Sequence, residues 1–191
     1  MRKFVPALFI LILFQKANAQ TGGLQMGPVL SFFGKNEKGY GGELIANVPI
    51  QKVLSAGAGI QLLKLGTEPN LYVPVFTTFK ASIPTNKIIY FFHVDPGYGI
   101  HSFHNAFLVE AGNGNFQMDF KNAGGFYFGT GAGLHLKNKA SPYINLQYSI
   151  YHLKYVTKST DIGKSKEYTY LNQHNARSFT VTAGIWLHAN K

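Results

Sequence analysis

An all-β fold, an eight-stranded antiparallel up-and-down barrel, is predicted by three observations on this 191-residue sequence. Apolar and polar residues alternate in eight separate runs, which is the period of a β-strand. The connections between the runs sort by length, short on one end and longer on the other. One side of every run is apolar and nearly free of charge, while the opposite side is polar or small.

The first run, 22–33, sets Leu24, Met26, Leu30 and Phe32 on one side and Gln25 and Ser31 on the other. The second, 39–48, opposes Leu44, Ala46 and Val48 to Glu43 and Asn47. In the third, 53–64, Leu54, Ala56, Ala58, Ile60 and Leu62 face away from Gln61. The fourth, 70–82, places Leu71, Val73, Val75 and Phe79 opposite Lys80, and the fifth, 88–101, places Tyr90, Phe92, Val94 and Tyr98 opposite His93 and Asp95. The sixth, 124–137, carries Phe126, Phe128 and Leu134 on its oily side and Gly129, Gly131 and Gly133 on the other. The seventh, 142–155, alternates Ile144, Leu146, Tyr148 and Ile150 with Asn145, Gln147 and Ser149. The eighth, 177–189, brings Phe179, Val181, Ile185 and Leu187 to the oily side.

The sixth run contains "GTGAG", which imitates a phosphate-binding loop. A dinucleotide fingerprint requires G-x-G-x-x-G between a strand and a helix. Here Leu134 occupies the last glycine position and no helical pattern follows, and "GAGIQLL" at 57–63 departs from it likewise. Both stretches read as strands with glycine on the inner side, where a narrow barrel needs room for bulkier side chains across from them.

The short connections are 49–52, 84–87 and 138–141, and the longer ones are 34–38, 66–70, 102–123 and 156–176. In a meander these two kinds fall on opposite ends, the asymmetry of outer-membrane barrels with short periplasmic turns and long extracellular loops. Among charged residues only Lys64 and Lys154 touch the oily face, both at its long-loop end, where a lysine can snorkel to headgroups. Apolar-out and polar-in makes the barrel transmembrane, and its strands suit the ~9–11 residues that cross a bilayer at a tilt. Eight strands enclose a space about filled by their own side chains, so no conducting pore is expected.

Residues 1–19 read as a secretory signal: Arg2 and Lys3, an apolar stretch over 4–14, then "ANA" before a cut ahead of Gln20. The apolar stretch is shorter than the ~20 residues of a spanning helix. The expected mature domain is 20–191. Without Arg2, Lys3 and Lys16 the 18 basic residues fall to 15 against 8 acidic ones, a net charge near +7. An exported basic domain points to anionic lipid or glycan, and nucleic acid is not an expected partner. Cysteine is absent, which excludes disulfides and thiolate metal sites.

The whole mature pattern, ending in "SFTVTAGIWLHA", resembles the small bacterial outer-membrane β-barrel family of outer membrane protein X and the outer membrane protein A transmembrane domain. Thr182, Gly184, Leu187 and Ala189 resemble the terminal-strand signal that barrel assembly machinery reads. The resemblance implies a cell outer-membrane location, with outer-membrane lipid, lipopolysaccharide and the assembly machinery as partners.

Two groups of residues are candidates for function. Glu43, Lys80 and Asp95 are inward charges and are expected to pair, with Gln61, His93 and Asn145 completing an interior polar network. Outside the barrel, Phe107, Val109 and Ala111 alternate, "GNGN" turns, and Phe116, Met118 and Phe120 alternate back, the mark of a β-hairpin. Such a hairpin can project and offer its edge to an extracellular protein strand. Lys158, Lys164, Lys166, Tyr168 and Tyr170 in 156–176 suit phosphate or a surface glycan.

The competing class is a lipid A-modifying barrel enzyme of deacylase or acyltransferase type. The deacylase motif places Ser two residues after His, and then Asn. In "HSFHNA", Phe103 follows His101 at that distance and Ala106 follows His104, so no nucleophile is in place and no enzyme is expected. His93, His101, His104 and His135 lack ligand spacing, so neither metal nor cofactor is expected.

Overall fold

The computed structural model describes residues 23–33, 37–51, 53–65, 70–102, 106–111, 114–138, 140–161 and 166–188. Nine strands occur among them: β1 Gly23–Phe33, β2 Glu37–Pro49, β3 Leu54–Leu65, β4 Asn70–Pro84, β5 Ile88–Ser102, β6 Ala106–Ala111, β7 Gly114–Leu136, β8 Ala140–Asp161 and β9 Lys166–His188. Each pairs antiparallel with its sequence neighbour, except that β5 pairs β7, and β1 pairs β9 to close the ring. Eight strands form the closed barrel. The ninth, β6, lies outside it as the partner of the far end of β7.

Every run from the sequence is a barrel strand, and each points the way its alternation indicates. Gln25, Ser31, Glu43, Asn47, Gln61, Lys80, His93, Asp95, Asn145, Gln147 and Ser149 are all buried inside. Leu44, Leu62, Val75, Phe79, Phe92, Phe126, Leu146 and Phe179 are exposed on the outside. A large apolar area turned outward over a polar interior reverses the arrangement of a water-soluble sheet, and it is what lipid contact selects.

The interior is filled in layers. Towards the long-connection end lies a cluster of Val29, Phe33, Ile45, Leu63, Tyr72, Phe76, Tyr127 and Tyr151. Its rings meet edge to face, as for Tyr72 and Tyr151 (4.8 Å between centroids, 84° between planes), or tilted, as for Phe76 and Tyr127 (5.5 Å). Towards the short-turn end lie Phe91, Tyr143 and Trp186. Glycines on neighbouring strands make way for these rings. A Cβ at Gly59 would sit 2.5 Å from the Phe76 ring, and one at Gly133 would sit 2.4 Å from the Phe91 ring.

The strands of the last three sequence runs are longer than the alternation indicates. β7 begins at Gly114 instead of 124, β8 continues to Asp161 instead of 155, and β9 begins at Lys166 instead of 177. Beyond the apolar belt neither face needs to be oily, so the period-2 hydrophobic signal fades while cross-strand hydrogen bonding continues. The segment 156–176 is therefore two paired strands joined at 162–165, not a long loop. A register shift at Asn122/Gly124 marks the exit of β7 from the barrel, and Gly124 has a φ of 65° there. That left-handed conformation suits glycine at a bulge.

Candidate functional site

Between the two aromatic clusters lies the buried polar layer, and its members come from seven strands. His93 on β5 meets Asp95 Oδ2 through Nδ1 at 2.7 Å and Asn145 Oδ1 on β8 through Nε2 at 3.0 Å. Gln147 Nε2 donates to the Tyr127 hydroxyl at 2.6 Å and reaches Asp95 Oδ2 at 3.4 Å. Tyr143 donates its hydroxyl to Glu43 Oε1 at 3.0 Å. Lys80 Nζ donates to Gln25 Oε1, which also accepts from Asn47 Nδ2 at 3.0 Å. The Lys80 ammonium also lies 4.6 Å from the Phe91 ring centroid and 4.3 Å from that of Trp186.

This arrangement corrects the expected pairing among the three inward charges. No ion pair links Lys80 to Glu43 or Asp95 among the described residues. Each charge has its own neighbour instead: Asp95 takes His93, Glu43 takes Tyr143, and Lys80 takes Gln25. The reason is geometric, because Lys80 stands level with His93 across β4 and β5 and its long stem runs towards the ring cluster at the short-turn end. Gln61, level with Glu43, is buried, and its Oε1 has no partner among the described residues. Gln25, Tyr127, Tyr143 and Gln147 complete the layer. The two glutamines were legible as inward residues, whereas nothing in an isolated tyrosine marks a hydroxyl that closes a network across the barrel.

The space left in this layer is small. Glu43, Lys80, His93 and Asn145 line a cavity of about 10 Å³, at the lower limit for a single water. No group of three or more His, Asp or Glu able to hold a metal occurs among the described residues.

At the long-connection end the sheet leaves the barrel. β9 pairs β1 only as far as Ser178–Phe33, but continues beside β8 up to Lys166. β7 pairs β5 only to Gly125, then runs on between β6 and β8. Four strands in the order β6-β7-β8-β9 therefore extend past the ring, with about 40 Å of strand on β9. The sequence-predicted surface residues fall here. Phe107 and Val109 lie on β6, Phe116 and Phe120 on β7, Lys158 on β8, and Lys166 at the start of β9, while Lys164 lies outside the described residues. Register aligns Phe107, Met118, Ser159 and Tyr168 in one row and Val109, Phe116, Asp161 and Lys166 in another. The hairpin spelled by "GNGN" is thus the β6–β7 pair. Tyr168, Tyr170 and Leu171 are exposed, and Lys158 pairs with Glu167 at 2.6 Å.

No protein-family model and no curated protein sequence matches the chain. Solved structures do. Neisserial surface protein A has a TM-score of 0.59 at 10% identity, covering 88% of this chain and 96% of its own. The outer membrane protein OprG from Pseudomonas aeruginosa has a TM-score of 0.59 at 8% identity, covering 91% and 97%. Outer membrane protein AlkL, determined in lipid bilayers, has a TM-score of 0.50 at 12% identity, covering 91% and 92%. At such identities the likeness is one of fold. With its eight-stranded ring, oily outside and polar core, the chain has the fold of the small bacterial outer-membrane β-barrels.

Proposed function

We propose that this chain is an outer-membrane protein whose plugged barrel anchors a projecting sheet, and that the sheet binds a protein or glycan outside the cell. The observation that carries the reading is the four-stranded extension, which among the described residues leaves two open edges: the outer side of β6, and β9 over residues 166–177. An unpaired edge carries a row of backbone donors and acceptors ready for a partner strand. Membrane lipid and lipopolysaccharide surround the barrel, and the assembly machinery inserts it. The polar layer, whose cavity has room for about one water, supports an anchor and not a pore. The mis-spaced serine and histidines around His101 support a binding role without chemistry.

Brief protease treatment of intact cells tests the projection. Cleavage is expected within 103–113 and 162–165, leaving a barrel core that still changes gel mobility on boiling. Cleavage that appears only after the cells are permeabilised would place the sheet on the wrong side of the membrane.

A further inference from the structure

The outward face of the barrel is not equivalent around its circumference. Among the described side chains, the exposed cations in the barrel wall stand together, on β9, β2 and β3 around the cation-free β1, at the long-connection ends of these strands. Arg177 is the outward residue above Phe179 on β9, and Phe179 is level with Phe32 on β1. Phe32 is in turn level with Lys38 on β2, and the next outward residue of β2, Tyr40, is level with Lys64 on β3. Lys38, Lys64 and Arg177 are all exposed, and the Lys64 ammonium lies 5.8 Å from the centroid of the Tyr40 ring. Over the barrel part of these four strands no described Asp or Glu faces outward. Across the ring, β4, β5 and β7 place Leu71, Ile100 and Phe126 at the same end.

Beneath the cations the face is wholly apolar: Leu30 and Phe32 on β1, Leu44 on β2, Ile60 and Leu62 on β3, and Phe179 on β9, all exposed. Acyl chains fit such a surface, and phosphate fits the cations above it. From strand spacing and rise, the Lys38 and Lys64 Cα atoms lie about 8 Å apart and those of Lys38 and Arg177 about 12 Å apart. That spread exceeds one phosphate and matches a headgroup carrying two. We propose that β9, β1, β2 and β3 form a binding site for a bisphosphorylated outer-leaflet glycolipid, the lipid A portion of lipopolysaccharide. Lys38, Lys64 and Arg177 hold its phosphates, and Tyr40, Phe32 and Phe179 form the shelf beneath the sugars. The proposal rests on the outer-membrane reading above.

Native mass spectrometry of the detergent-refolded protein tests it, with bisphosphorylated lipid A, its dephosphorylated form and phosphatidylglycerol as probes. The wild type should hold bisphosphorylated lipid A at least about tenfold more tightly than either other lipid, and the dephosphorylated form least tightly of the three. The triple variant Lys38→Gln, Lys64→Gln, Arg177→Gln should lose that preference, while Lys87→Gln, Lys137→Gln at the short-turn end should keep it. Equal binding of phosphatidylglycerol or dephosphorylated lipid A, or a triple variant indistinguishable from wild type, would overturn the site. Gel mobility of each sample before and after boiling separates the two claims. A heat-shifted protein without lipid preference ends only the lipid site; a wild type without any shift ends the membrane reading as well.

Discussion

Replacing Gly131 with alanine should destabilise the folded barrel by about 3 kcal/mol, although it adds a single methyl group. The added Cβ would lie 2.5 Å from His93 Nε2 and 2.5 Å from the backbone oxygen of Leu146. The first contact forces His93 off Asn145 and Asp95, and the second pushes on the β7–β8 ladder, which cannot yield locally. Ala132→Val, one residue on and turned outward, should change stability by less than about 0.5 kcal/mol. Urea unfolding of the protein refolded in detergent measures both. Equal effects at 131 and 132 would mean that the two faces of β7 are not inside and outside.

Replacing Lys80 with methionine should cost about 3–5 kcal/mol in the same assay, the range for removing one charge from a buried set. Methionine fills the same volume and keeps the contact with Phe91 and Trp186, so the loss reports charge and hydrogen bonding instead of packing. What it leaves behind is Gln25 Oε1 without its ammonium donor and two carboxylates, Glu43 and Asp95, with less positive charge near them. The double variant Lys80→Met, Glu43→Gln should therefore recover part of the loss, a coupling between neighbours that additive sites do not show. Lys87→Met, on the exposed turn after β4, is the control and should have little effect. Unchanged stability in Lys80→Met would show that the buried ammonium contributes nothing to the polar layer.

The barrel was legible in the sequence because lipid and a narrow interior constrain it at every second residue. Phe126, Phe128 and Leu134 had to face out, and Gly129, Gly131 and Gly133 had to face in, so the period alone assigns both sides of β7. The inward identity of Glu43, Lys80, His93 and Asp95 followed for the same reason. Who bonds to whom did not follow, because it depends on register between strands far apart in sequence. Tyr143 and Glu43 are brought together only by closure of the ring, as are Ser31 and Thr180, whose hydroxyls lie 2.8 Å apart across β1 and β9. The extension was half legible. "GNGN" between Phe107 and Phe116 announces a hairpin, but "TKST" and "KEYTYLNQ" lack an oily face and read as loop. Their threonines and tyrosines are good strand formers, and that propensity was the signal available there.

Whether the chain is a closed barrel in the outer membrane is read from the gel mobility of detergent-extracted membrane fractions, compared with and without boiling. The protein is expected in the outer-membrane fraction, as an SDS-resistant folded band that shifts to its unfolded position on boiling. A protein recovered in the soluble fraction, with no shift, would mean that the apolar face of β1–β5 and β7–β9 is covered by something other than lipid, and would contradict that expectation.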